Sequence, residues 1–273
     1  MSLAQVHVVE SLHPIENVRA LYAAIKHLPR MPAGLLWIDA DTMRRLQEDD
    51  REARQALEAY VPSLVVTFLI EHVRRIEATY KGIPPVGYEF FLSQYAAPEA
   101  APGSGLHVDS NEPDWESANI VWSSVYHVGP THVKEGGGTV LFPEVPASKE
   151  VEARSFRRNT FEELEAIQAL RQAVPFRENQ LIAFDGRVHH YADRCAAHPG
   201  EPRIAFVVTA WESRPRFAPI SGHSLLSTAQ YRAFTEAPEA DVAAVGAYLA
   251  VRDRLGQEHT SDLTSALERI AKM

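Results

Sequence analysis

Gln180-Leu-Ile-Ala-Phe184 runs through Asp185-Gly186 to His189-His190, and thirteen residues after His190 comes Arg203-Ile-Ala-Phe-Val-Val-Thr-Ala-Trp211. Both apolar runs are short, rich in β-branched and aromatic residues, and bounded by turn residues, the pattern of strands in a sandwich or barrel. In the second run, alternation puts Arg203, Ala205, Val207 and Thr209 on one face and Ile204, Phe206, Val208 and Ala210 on the other. Both faces are apolar, so the strand is expected to be buried on each side. A guanidinium there needs an anion, because an unpaired buried charge is strongly destabilising. Either a protein carboxylate supplies it, or an anionic ligand does through a bidentate pair. Ala205 is small and leaves room beside the guanidinium for a ligand.

Moving outward, Gly87 to Tyr95, Ala118 to Val128 and Gly138 to Phe142 have the same texture. Pro102-Gly103, Gly129-Pro130, Gly136-Gly137-Gly138 and Pro199-Gly200 separate them. Many short strands punctuated this way predict a sandwich or barrel rather than alternating βαβ units. Trp122 and Tyr126 on one of these strands read as core. From Ile15 to about Tyr80 the apolar spacing is helical, as in Val18, Leu21, Tyr22 and Ile25. Pro62 is expected to begin or kink a helix running through Leu64, Phe68, Ile70 and Val73. Glu144 to Val174 is charged and reads as an insertion. Thr160 with Glu163 forms a capping box there, and Leu164, Ile167 and Leu170 continue a helix. After Pro215 the pattern is helical again, with an amphipathic run from Val242 to Ile270 suited to pack against the barrel or a second subunit, which makes a homodimer an open expectation. The expected organisation is one domain over 1–273: a helical support at 1–85, a β core at 86–215 with an insertion at 144–175, and a helical segment at 216–273.

The chain has 273 residues, 45% hydrophobic and 23% charged, so a sizeable core is available and global disorder is excluded. Lys plus Arg is 27 and Asp plus Glu is 36, a net charge of −9. A balance this acidic argues against nucleic acid as a partner, since tracking a phosphate backbone rests on clustered cations. Tyr60 to Ile70, the most apolar stretch, is broken by Pro62, Ser63 and Thr67, so no membrane span is expected. The N-terminus does not read as a secretory signal. A single cysteine, Cys195, excludes an intrachain disulfide, and a cytoplasmic setting is the simplest expectation.

His107-Val108-Asp109 places an imidazole and a carboxylate on one face of an extended segment. Those are two of the three ligands of a facial iron site, although H-x-D alone is a common motif. Together with a later histidine and an arginine on the following strand, it resembles the iron(II)- and 2-oxoglutarate-dependent oxygenases. Gly136-Gly-Gly-Thr-Val-Leu-Phe-Pro143 and Asn179-Gln-Leu-Ile-Ala-Phe-Asp-Gly-Arg-Val-His-His190 are similar to segments of the prolyl-hydroxylase-like branch. The resemblance covers about Tyr88 to Trp211.

The resemblance implies a mainly β protein with flanking helices around a double-stranded β-helix, the jelly-roll or cupin-like core. It implies Fe(II) held by His107, Asp109 and one of the paired histidines, with 2-oxoglutarate and O2 as cosubstrates. Adjacent strand residues face opposite ways, so only one histidine of the pair can face the metal. The family spacing, six residues after the strand's Phe184, selects His190. Arg203 is implied to bind the distal carboxylate of 2-oxoglutarate. Tyr95 matches a tyrosine that often precedes the first metal ligand and contacts the cosubstrate; a packed strand aromatic is the plain alternative. Many relatives carry a hydroxyl two residues after the arginine, where this chain has Ala205. Thr209, further along the same face, is retained as a cosubstrate candidate, without standing as a replacement for that hydroxyl. An intact Asp109 argues against halogenation.

The implied activity is hydroxylation of an unactivated C–H bond in a small molecule such as an amino acid or biosynthetic intermediate, with release of succinate and CO2. A prolyl-type peptide hydroxylase and a non-catalytic jelly-roll binding protein are the alternatives. Asn111, Glu112, Asp114 and Trp115 follow the H-x-D and are placed to meet a substrate or to form a plain polar loop. Arg154, Arg157 and Arg158 suit either a lid or a solvated face. His127 and His132 lie five apart across a turn, which does not fix them on one face, and Cys195 reads as an inert thiol.

Overall fold

The computed structural model describes residues 6–26, 36–58, 63–80, 82–96, 109, 120–144 and 169–213. Among these lie eleven strands and four helices. In chain order they are β1 (His7–Glu10), α1 (Ile15–Ile25), β2 (Leu36–Asp39), α2 (Ala40–Gln47), α3 (Arg51–Glu58), α4 (Ser63–Thr79), β3 (Gly87–Tyr95) and β4 (Ile120–Gly129). There follow β5 (Glu135–Gly136), β6 (Thr139–Phe142), β7 (Gln172–Val174), β8 (Gln180–Phe184), β9 (His189–Ala192), β10 (Cys195–Ala196) and β11 (Arg203–Trp211).

A six-stranded antiparallel sheet runs β1-β8-β4-β11-β3-β2, and a three-stranded one runs β7-β6-β9. Alternation divides the large sheet's residues between two cores. On its outer face Trp122, Tyr126, Val128, Leu181, Ile204, Phe206 and Val208 pack with the helices. Helix α1 contributes Val18, Leu21, Tyr22 and Ile25, the spacing of one apolar stripe. Helix α4 contributes Val65, Phe68, Leu69 and Val73. On the inner face Val125, Ile182, Phe184, Ala205 and Val207 meet Leu141 and Val174 of the small sheet. Two antiparallel sheets closing on a shared interior, with helices covering the larger one, form a jelly-roll core.

The strands expected at Gly87–Tyr95, Gln180–Phe184 and Arg203–Trp211 have those bounds, and the other two expected runs are β4 and β6. The N-terminal segment is less helical than its periodicity suggests. β1 pairs with β8 and β2 with β3, so this segment supplies both edges of the large sheet. Each is four residues long and takes its conformation from main-chain pairing, which periodicity does not reveal. Asp39 ends β2 and caps α2: its side chain accepts from Thr42 N at 2.8 Å. Leu170, the last apolar position of the expected insertion helix, lies in an exposed turn leading to β7. The rest of that helix and the segment after Pro215 lie outside the described residues.

The outer core buries a histidine. His72 Nε2–H donates to Ser124 Oγ at 2.7 Å, and the Ser124 hydroxyl donates onward to the Val208 carbonyl at 3.2 Å. Burial, and then His13 nearby, push the His72 pKa down to about 3. The folded protein therefore takes up this proton far less readily than the unfolded chain. Stability from this group is complete above about pH 6.5 and falls as the pH drops toward 3. His72 alone is expected to cost about 2 kcal/mol between pH 6.5 and 5, read as a falling denaturation midpoint that His72→Gln flattens. An unchanged slope in that variant would reject the account.

Candidate active site

The β8–β9 turn sets up the site. Asp185 Oδ1 accepts from the Arg187 amide at 3.0 Å and from its Nε at 2.9 Å, while Oδ2 accepts from Nη2 at 2.7 Å. Val188 N closes the turn on the Asp185 carbonyl at 2.9 Å. At Gly186 a Cβ would come within 1.8 Å of Ile120, so only glycine lets β4 approach this closely. The turn delivers His189 and His190 to opposite faces of β9. His190 is in register with Leu141, a residue of the inner core, and its ring lies 4.7 Å from that of Phe184. His189 is in register with Phe142 and faces the other way.

His190 Nδ1–H donates to the Val188 carbonyl at 2.9 Å, which leaves Nε2 to face Asp109 Oδ1 at 3.4 Å. The two side chains are 6% and 12% exposed. A ring-nitrogen lone pair and a carboxylate oxygen repel each other unless a cation, a proton or a metal ion, lies between them. An imidazole that donates its other N–H to a backbone carbonyl is the usual state of a metal-ligating histidine. These donors fit a first-row divalent metal. His107 lies outside the described residues, and among those described no three His, Cys, Asp or Glu side chains form a metal-sized cluster.

Arg203 opens β11 on the inner face and is 1% exposed. Gly136 and Gly137 both adopt positive φ, and the Gly137 carbonyl accepts from Arg203 Nε at 3.0 Å. Arg203 Nη2 donates to His127 Nε2 at 3.2 Å, and the Tyr95 ring covers the guanidinium at 5.3 Å. Tyr95 is also the cross-strand partner of Arg203. No carboxylate pairs with Arg203 among the described residues. A guanidinium has five N–H donors, so three remain uncommitted there. Burial lowers the pKa of this group, with Tyr95 and Cys195 opposing, yet an arginine stays charged.

The inner core joins the two ends: Leu141, the register partner of His190, shares it with Val207 and with Ala205, two residues from Arg203. Ala205 itself lies between Ser93 and His127 across its two strand neighbours. Thr209 does not join this group. It is buried beside Glu89 and Ser123, six residues along β11 from Arg203. At about 3.3 Å per residue that is roughly 20 Å, too far to share a small dicarboxylate with Arg203. Thr209 is thus set aside as a cosubstrate contact. His127, which the sequence left without a role, sits fully buried against the arginine instead. The signal for it was a lone basic residue inside an otherwise uncharged strand. Asn111, Glu112, Asp114, Trp115, Arg154, Arg157 and Arg158 lie outside the described residues. Cys195 is buried, and burial raises its pKa, as an inert thiol requires.

The sequence matches no protein-family model and no curated protein. Among solved structures the fold is similar to a prolyl-4-hydroxylase from Pseudomonas putida, at 15% identity and TM-score 0.45, over 77% of this chain and 85% of that one. It is similar to HygX from Streptomyces hygroscopicus, with nickel and 2-oxoglutarate bound, at 9% identity and TM-score 0.48, over 79% and 86%. An N-substituted L-amino acid dioxygenase from Burkholderia ambifaria AMMD gives 14% identity and TM-score 0.44, over 78% and 86%. At these values the likeness concerns chain path and says nothing of chemistry.

Proposed function

We propose that this protein is an Fe(II)- and 2-oxoglutarate-dependent oxygenase that hydroxylates a small molecule such as an amino acid or biosynthetic intermediate. The observation that carries the reading is Arg203: a buried guanidinium that has, among the described residues, three uncommitted donors and no carboxylate beside it, in the same interior as the Asp109–His190 pair. That arrangement calls for an anion as one ligand and a cation as another, which a metal and a dicarboxylate satisfy together.

In this reading Asp109 and His190 hold the metal, with His107 as the third ligand. Bound there, iron supplies the redox chemistry by which a substrate C–H, O2 and 2-oxoglutarate become C–OH, succinate and CO2. The protein's own contribution is positional. Arg203 takes the distal carboxylate through charge-assisted hydrogen bonds. Tyr95 walls the guanidinium on one side, and Ala205 leaves space for the carbon chain. Val125, Ile182, Val207 and Leu141 keep water from the interior, which strengthens the Arg203 attraction. The Val188 carbonyl holds His190 in one ring orientation and one tautomer.

Anaerobic titration with Fe(II) and 2-oxoglutarate tests the reading. A weak visible charge-transfer band is expected only when both are present, together with a rise in melting temperature. Admitting O2 should then yield succinate. Absence of the band with no thermal shift would favour a non-catalytic binding protein.

A further inference from the structure

Among the described residues, Arg203 is held in place by a base rather than an acid. Pairing between β4 and β11 slips between Ile204 and Ala205, so His127 stands opposite Ala205 instead of the next residue in the ladder. From there its Nε2 reaches Arg203 Nη2 at 3.2 Å. A guanidinium only donates, so Nε2 carries a lone pair and the ring hydrogen sits on Nδ1. Gln180 is the cross-strand partner of His127 on β8, and Phe176 packs on the ring with centroids 4.9 Å apart. The imidazole is 0% exposed.

We infer that His127 is a positioning residue for the cosubstrate, a neutral acceptor that aims the Arg203 fork at the dicarboxylate while leaving its positive charge unneutralised. This role rests on the reading of Arg203 as the anchor of that anion. A carboxylate at position 127 would hold the guanidinium as well but would compete with the ligand for its charge. A hydrocarbon would leave Nη2 without its acceptor in a dry interior, free to turn away from the ligand. Imidazole avoids both outcomes provided that it stays uncharged. Burial, and then the adjacent Arg203, hold the His127 pKa well below its usual value, with Gln180 and the Arg177 backbone opposing.

The test compares wild type with His127→Gln, His127→Leu and His127→Glu. Calorimetry would measure 2-oxoglutarate binding to the Mn(II)-loaded protein, which cannot turn over, and Mn(II) affinity would be measured separately. Glutamine places a neutral oxygen near the position of Nε2, so its 2-oxoglutarate Kd should stay within about fivefold of wild type. Leucine should weaken binding about 10- to 100-fold, and glutamate by more than 100-fold, both with Mn(II) affinity unchanged. In succinate release the leucine variant should show a raised KM for 2-oxoglutarate with little change in kcat. Wild-type affinity in His127→Leu, or equal weakening by leucine and glutamine, would overturn the role of His127 alone. If His127→Leu does not fold, the glutamine–glutamate pair decides, and equal affinities overturn it. Failure of the wild type itself to bind 2-oxoglutarate would overturn the reading of Arg203, and this inference with it.

Discussion

Arg203→Met is expected to abolish 2-oxoglutarate binding while leaving the ligand-free protein at least as stable as wild type. The two effects have one cause. Arg203 is buried with a cation–π contact, one backbone carbonyl and one imidazole as partners, and no carboxylate among the described residues. Desolvation of its charge is therefore only partly offset in the ligand-free protein. Methionine is apolar, flexible and close in length, and apolar replacement of buried ions is often neutral or stabilising. With the dicarboxylate bound the balance reverses, because the anion completes a buried charge pair whose disruption costs about 3–5 kcal/mol. That is a loss of affinity of at least 100-fold. Chemical denaturation with and without 2-oxoglutarate reads both effects. Wild type should be stabilised by the ligand, whereas the variant should match or exceed ligand-free wild type and show no response. A variant several kcal/mol less stable without ligand, yet still responsive to it, would mean that Arg203 serves the fold and not the anion.

Much of the geometry behind that expectation is legible in the sequence, for definable reasons. β11 announces itself because it is apolar on both faces, which only a central strand can afford, and an arginine in that setting has few explanations. Alternation also places Arg203, Ala205, Val207 and Thr209 on one side, and the inner core contains Ala205 and Val207 as expected. Alternation says nothing of reach, however: the rise per residue separates Thr209 from Arg203. The role of His127, as distinct from its burial, was illegible for a different reason. It depends on a slip in register between β4 and β11, a property of the pairing and not of either strand. β1 and β2 were missed because edge strands of four residues carry little pattern, and a helical stretch surrounds β2 on both sides. Leu170 misled because three apolar residues at helical spacing continue a pattern past the point where the chain turns toward β7.

The paired histidines yield the sharpest contrast, since one substitution is expected to remove the metal and its neighbour is not. Two facts separate them. His190 shares the inner face with Leu141, presents Nε2 to Asp109 and is fixed by the Val188 carbonyl. His189 lies on the opposite face, across from Phe142. In the proposed site His190→Ala and Asp109→Ala each delete a ligand, so Fe(II)-dependent succinate release should fall below about 1% of wild type. Deleting a positioning partner alone costs about 10- to 100-fold, and a direct ligand should cost more. His189→Ala should keep iron and most of the turnover, with only the stability loss of a buried side chain. Metal binding itself offers a readout independent of catalysis. Calorimetric titration with Mn(II) should show metal binding by wild type and His189→Ala and none by His190→Ala. Metal retained by His190→Ala and lost by His189→Ala would move the ligand to the other face of β9, and the arrangement of Asp109, His190 and Arg203 in one interior would no longer describe the site.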